Sequence, residues 1–290
     1  MIRYFLVTLC LLLSFNAFAQ KAPYGTLKVG SSFVRETEVT QKEWAMMIYL
    51  AKQLNFLKVE GAPNWQSLLP DNNAYNQKTF YSNTFIQSII NADEVAFKAI
   101  SFSDFYSSDT HFPSDQEYPI CGVSYSQVNT FLTLLQNYFN KVYAKNGVEP
   151  IFKVHSKYSI RLPNETEFMS WMTALDDQAL AAYRKGYNDK CCPLMNTQQP
   201  DSCANCPMYS SKDVVKLGPI GKAPYPVVRF NATNNGLYDV YGNLAEMLNV
   251  EGQCLGGSFQ DEPSAISKMQ TMPYTTSQTW LGFRYIIQVQ

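Results

Sequence analysis

Charge is scarce in this chain of 290 residues and neither sign prevails: 24 Asp and Glu stand against 23 Lys and Arg, a formal net charge of −1. Such a surface has no basic face, which excludes strong electrostatic binding to nucleic acid or to an anionic membrane. Histidine is scarcer still. His111 and His155 are the whole supply, and neither falls in a ligand-like spacing, so an iron centre held by histidines lacks its ligands. Beyond residue 20 no apolar run is long enough to span a bilayer. No internal repeat, low-complexity stretch or domain boundary breaks the chain.

The first residues read as a targeting segment. Arg3 supplies the positive start, residues 4–15 form a short apolar run, and Ala17-Phe18-Ala19 places small residues where a signal peptidase reads. The alternative is an uncleaved anchor. Residues 1–19 are therefore expected to be a signal peptide and Gln20 the mature N-terminus. Residues 20–290 suffice for one large domain. A hydrophobic share of 46% against 16% charged argues for a packed core and against disorder, and 19 Tyr with 18 Phe suit a loop-rich interior. Of seven cysteines, Cys10 leaves with the leader. The other six are Cys121, Cys191, Cys192, Cys203, Cys206 and Cys254, an even set that permits disulfides in an exported chain without giving their pairing.

Three strand-then-helix units are legible. Thr37-Glu38-Val39 has β-formers, and Thr40 caps a helix over 41–54 with Glu43 at its third position and Trp44, Met47, Ile48 and Ala51 on one face. Residues 119–123 read as a strand leading to Ser124, a cap for a helix carrying Val128, Phe131, Leu132, Leu135 and Phe139. Ile160-Arg161-Leu162-Pro163 leads to Asn164, and Glu167 three residues on completes a capping box before Phe168 and Trp171. Residues 60–117 read mostly as long loops, with room for a helix over 82–97, and the chain beyond Asp177 is irregular. The sum is a loop-rich α+β domain.

Several segments, in this order, resemble the sulfatase-modifying-factor superfamily of formylglycine-generating enzymes. They are Glu36-Thr37-Glu38-Val39-Thr40 with Trp44; Tyr118-Pro119-Ile120-Cys121-Gly122-Val123-Ser124-Tyr125, where Trp is usual instead of Tyr125; and Arg161-Leu162-Pro163-Asn164-Glu165-Thr166-Glu167-Phe168. The most specific is Asn235-Gly236-Leu237-Tyr238-Asp239-Val240-Tyr241-Gly242-Asn243-Leu244-Ala245-Glu246, followed by Gly256-Gly257-Ser258-Phe259 and Gly282-Phe283-Arg284. The resemblance implies a C-type-lectin-like formylglycine-generating-enzyme fold, with few short strands and two or three helices. Arg161 and Arg284 are expected to pair with carboxylates or loop carbonyls inside it, in structural roles.

The resemblance also implies a chemistry, and here the sequence departs from it. The enzymes hold copper(I) with two thiolates just after the Gly-Gly-Ser-aromatic segment, as suits a soft ion. In this chain Gln260-Asp261-Glu262-Pro263-Ser264-Ala265-Ile266 contains no cysteine, and Cys254 alone cannot form the pair. No catalytic residue is assigned. By resemblance a structural calcium is expected at Asp239 and Glu246 through carboxylates and at Gly242 and Leu244 through carbonyls, hard oxygen ligands from one turning segment. Against it stands Asp239 capping a turn and Glu246 pairing with an arginine. Cys191, Cys192, Cys203 and Cys206 offer four sulfurs to zinc, but two disulfides are favoured in an oxidising compartment. A redox role for Cys203 and Cys206 lacks the strand-to-helix context.

Members without the cysteine pair resemble envelope proteins of gliding bacteria associated with motility and type IX secretion. A non-catalytic scaffold or binding protein, periplasmic or extracellular, is thus expected. Its aromatic loops 75–112 and 271–280 would face envelope or secretion-machinery partners. The alternative is an exported oxidase-like enzyme using Cys254, Asp261 or Glu262. A lectin-like binder rests on the fold alone. Intact-mass measurement of the exported protein should show a chain beginning at Gln20; one that still carries Met1 would remove the leader from this account.

Overall fold

The structure, a computed structural model, describes residues 22–23, 25–53, 65–71, 118–140, 157–172, 207–209, 216–219, 224–228, 232–262 and 270–290. It begins with a hairpin. Strands β1 (Thr26–Val29) and β2 (Ser32–Arg35) pair antiparallel through the two-residue loop Gly30-Ser31. Gly30 sits at φ +61°, the left-handed conformation such a loop requires and that only glycine adopts without penalty.

Helix α1 (Gln41–Gln53) starts where the sequence predicts, with Thr40 Oγ1 accepting the Glu43 N–H at 3.2 Å. Its residues Trp44 through Tyr49 are all buried, so this is a core helix rather than a surface one. A short 3-10 turn (Trp65–Leu68) packs on it, and Trp44 donates its indole N–H to Leu68 O at 3.1 Å. Helix α2 (Tyr125–Tyr138) carries a complete capping box between Ser124 and Gln127 and buries Val128, Phe131, Leu132 and Leu135. Helix α3 (Glu165–Met172) carries another, with Asn164 Oδ1 and Glu167 Oε2 each accepting the other residue's N–H at 2.8 and 2.9 Å. These are the three α-helices among the described residues. The helix considered for 82–97 lies outside them.

Strands β3 (Tyr158–Arg161) and β10 (Ile286–Val289) complete the first sheet, ordered β1-β2-β10-β3 and antiparallel throughout. β10 therefore lies between two strands made far earlier, with Ile287 opposite Phe33 on one side and Ile160 on the other. Strands β4 (Pro207–Tyr209) and β5 (Lys216–Pro219) pair with each other. A second four-stranded sheet is ordered β8 (Met272–Pro273), β7 (Gln253–Leu255), β6 (Ala245–Met247), β9 (Leu281–Gly282), with β6 and β9 parallel.

Two expected strands do not form. After β2 the chain bends at Glu36 and Thr37 and runs on through 38–39 without a strand, and only Thr40 and Pro119 join, as an isolated bridge. The reason is that Glu38 turns its carboxylate into the interior, toward residues 205 and 206 positions away. Val39 instead exchanges single bonds with Phe283 and Ile120, too few to extend a ladder.

The main core lies between α1, α2 and both sheets. Trp44 stacks on Phe131 at 5.0 Å between ring centroids, and both meet Phe283 edge-on. Among the described residues no helix is long and apolar enough to cross a membrane. Trp44→Ala should lower the unfolding free energy by about 3–5 kcal/mol, because it empties the centre of this aromatic triad. Urea denaturation followed by tyrosine fluorescence measures it, and an unchanged midpoint would show that the triad is not central.

Candidate buried carboxylate site

Two stretches distant in sequence meet inside the fold: the turn around Glu38, and the segment 236–247 that leads into β6. The second is tightly wound. Asp239 and Asn243 adopt φ +53° and +61°, values tolerated by Asx side chains better than by most residues. Gly256, at φ +91°, lies against this segment. A Cβ there would sit 2.8 Å from Val240 O, so the close approach requires glycine. The contact lets Gly242 donate its N–H to Gly256 O at 2.9 Å.

Four charged groups are buried here. Arg284, wholly buried just before β10, donates Nε–H to Glu246 Oε2 at 2.6 Å and an Nη2 hydrogen to Glu246 Oε1. The same guanidinium reaches Tyr238 O at 2.8 Å and Glu36 O at 3.4 Å. Glu38, also wholly buried, accepts the Leu244 N–H at 2.9 Å and an Asn243 Nδ2 hydrogen at 2.7 Å. Asn243 in turn clasps the backbone of Tyr225, accepting its N–H at 2.7 Å and donating to its carbonyl at 3.2 Å. Asp239 Oδ2 accepts the N–H of Val228 at 3.1 Å, while the buried Oδ1 has no partner. Val228 is held at φ +66° although its side chain is exposed. A β-branched residue resists that conformation, so the bond to Asp239 holds it against strain.

Three carboxylates share one guanidinium away from water, and their acidities reflect it. Burial pushes Asp239 up to about 7, with the charge of Glu246 adding and the Val228 N–H and Arg284 opposing. Burial also raises Glu38 well above the usual carboxylate range, reinforced by Asp239 and Glu246. Glu246 is raised by burial and pulled back by Arg284, which binds both of its oxygens.

The residues expected to bind calcium are thus close in the chain but differently engaged. Glu246 gives both oxygens to Arg284, and Asp239 keeps one oxygen open. Leu244 offers its N–H to Glu38 and Gly242 its N–H to Gly256. Among the described residues no three His, Cys, Asp or Glu side chains are grouped to hold a metal. Calcium takes about 6–8 oxygens, and of the four carboxylate oxygens expected to bind it, Asp239 Oδ1 is the one without a hydrogen-bond donor. Glu38 and Asn243 are the functional residues that sequence reasoning passed over. For Asn243 the usable signal was an amide inside the glycine-rich 236–247 segment, whereas Glu38 lies among polar neighbours that gave none.

The start of the stretch that lacks the thiolates is a hydrogen-bonded turn, and residues 263–269 lie outside the described residues. Ser258 donates its N–H and Oγ–H to Asp261 Oδ2 at 2.8 and 2.7 Å, and Phe259 packs with Cys121, Leu244 and Trp280. Glu262 is exposed. Cys254, on β7, directs its thiol to Met272 O at 3.4 Å, and burial, then the Asp261 charge, push it up to about 12. Cys121 and Cys254 are the cysteines among the described residues, and both are buried. Cys191, Cys192, Cys203, Cys206, His111, His155 and the loop 75–112 lie outside those residues. In the loop 271–280, Tyr274 is buried, Trp280 half-buried, and Thr275, Thr276 and Pro273 are exposed. Arg161 pairs with Glu167 at 2.7 and 2.8 Å and holds that carboxyl below its usual range, the structural role expected of it.

The acidities predict a pH response. Asp239 binds its proton more tightly folded than unfolded. Its contribution to stability is therefore full below the unfolded range near about 4, and is lost as pH rises toward its folded value of about 7. Acidification from pH 7 to 5 should thus raise the melting temperature of the native chain relative to that of Asp239→Asn. Parallel melting curves for the two proteins across that window would contradict the assignment.

Residues 12–289 match the family described as the Sulfatase-modifying factor enzyme 1-like domain. A search of curated proteins finds no match. Among solved structures, the chain is similar to PvdO from Pseudomonas aeruginosa, at 16% identity and a TM-score of 0.36, over 60% of this chain and 63% of that one. It thus spans less than two thirds of PvdO's length. It is also similar to Treponema denticola variable protein 1, at 15% identity and a TM-score of 0.39, over 93% of this chain and 89% of that one. CarF aligns at 16% identity and a TM-score of 0.45, over 93% of this chain and 97% of that one. With the match running through every described strand and helix, this α+β chain belongs to the sulfatase-modifying factor enzyme 1-like family and has its formylglycine-generating-enzyme-like fold.

Proposed function

We propose that this chain is an exported, non-catalytic scaffold or binding protein of the bacterial cell envelope, built on a sulfatase-modifying-factor domain. The observation that carries this reading is the Ser258–Asp261 turn. In the stretch where the family's oxidases place a copper-binding thiolate pair this chain has no cysteine, and its described start closes a hydrogen-bonded turn through the Asp261 carboxylate. The nearby thiol, Cys254, is buried and keeps its proton at neutral pH, so it is a poor ligand and a poor nucleophile. With no thiolate pair to hold copper(I), oxygen activation by the family's route has no centre.

What the domain retains is a rigid support for loops. The loop 271–280 leaves β8 and returns at β9 on the second sheet, with Tyr274 anchoring it and exposed polar residues at its surface. Together with 75–112 it would face envelope or secretion-machinery partners, in an assembly of the gliding-motility or type IX secretion type. Cleavage of the leader would place the chain in the periplasm or outside the cell. In that compartment Cys191, Cys192, Cys203 and Cys206 would form two disulfides in preference to a zinc site. The competing reading, an oxidase-like enzyme with an altered site, needs a redox metal. Purified mature protein should contain less than stoichiometric copper and iron and consume no oxygen with thiol peptides as substrate. One copper or iron per chain together with oxygen uptake would sink the scaffold reading in favour of the enzyme.

A further inference from the structure

We infer that in this chain the guanidinium of Arg284 takes the place of a calcium ion in the 238–246 segment, so that this part of the fold holds without a divalent cation. A structural calcium would do two things here: neutralise carboxylates and gather carbonyl oxygens from separate loops. Arg284 already does both. It binds both oxygens of Glu246 and takes the carbonyls of Tyr238 and Glu36, joining β6, the turn before it and the segment after β2. Its planar fork of five N–H donors matches that set of acceptors.

The other acidic groups are served by neutral donors. Glu38 takes the Leu244 N–H and the Asn243 amide, and Asp239 Oδ2 takes the Val228 N–H. Asp239 Oδ1 is the one open oxygen, and it is buried. A calcium drawn to it would need Glu246 as a second ligand. That carboxylate is already bound by a cation at hydrogen-bond distance, and the two positive charges would repel one another. Asp239 is therefore an excess negative charge rather than half of a metal site.

The variant Asp239→Asn separates the two possibilities. Asparagine keeps an acceptor for the Val228 N–H, suits φ +53° at least as well, and removes one buried charge. Wild type and variant would be melted in millimolar calcium and in excess EGTA, and their bound calcium counted by elemental mass spectrometry after desalting. The expected result has three parts. The variant melts at the same temperature as wild type or higher at pH 7. The two proteins carry the same amount of calcium. EGTA shifts both melting temperatures equally, so calcium held elsewhere on the chain cancels from the comparison. If wild type carries one calcium per chain more than the variant, or EGTA lowers the melting temperature of wild type alone, the inference is overturned. It is equally overturned if the variant melts lower than wild type or fails to fold.

Discussion

The pair between Arg284 and Glu246 is the constraint on which the rest of the fold depends. Both side chains are wholly out of water, so neither tolerates the loss of the other. Breaking such a pair from one side generally destabilises a protein by about 3–5 kcal/mol, because it strands a buried charge. The position of Arg284 gives the pair its reach. The residue stands between Phe283, which is packed into the aromatic core, and the start of β10, which joins two other strands. One guanidinium therefore fixes the relation between the two four-stranded sheets.

A loop-rich fold has a general difficulty that these side chains resolve. Backbone N–H groups outside helices and sheets need acceptors, and water is not available inside. Here side chains supply them: the buried Glu38 for Leu244, Asn243 for Tyr225 and Asp239 for Val228, and the half-buried Asp261 for Ser258. Polar residues in this interior replace the ladders that longer strands would have formed.

Local features were legible in the sequence and long-range ones were not. The starts of all three described helices could be read from Thr40, Ser124 and Asn164, because capping is settled within about four residues. Phe131 and Trp171 were placed in the core by spacing alone. Family resemblance located the glycine-rich segment and anticipated the interior role of Arg284. The extended reading of Thr37-Glu38-Val39 failed because a contact 205 positions away, from Asn243 to Glu38, decided the local conformation. β-propensity carries no information about such a partner. The strained Val228 was invisible for the same reason, since its N–H is held by a carboxylate from another turn.

The place of β10 in the first sheet also sets an order of events. A chain is made from its N-terminus, and the β1–β2 hairpin can form early through its two-residue loop. β2 and β3, however, have no bond to each other. They are joined only by the strand inserted between them, the last described element to be synthesised. The same final stretch delivers Arg284. Until it emerges, Glu246 has no counter-ion and the sheet has a gap in its middle. Topologies dominated by such distant contacts fold slowly. The first sheet is therefore complete only once residues 284–289 have joined it, however early the hairpin forms.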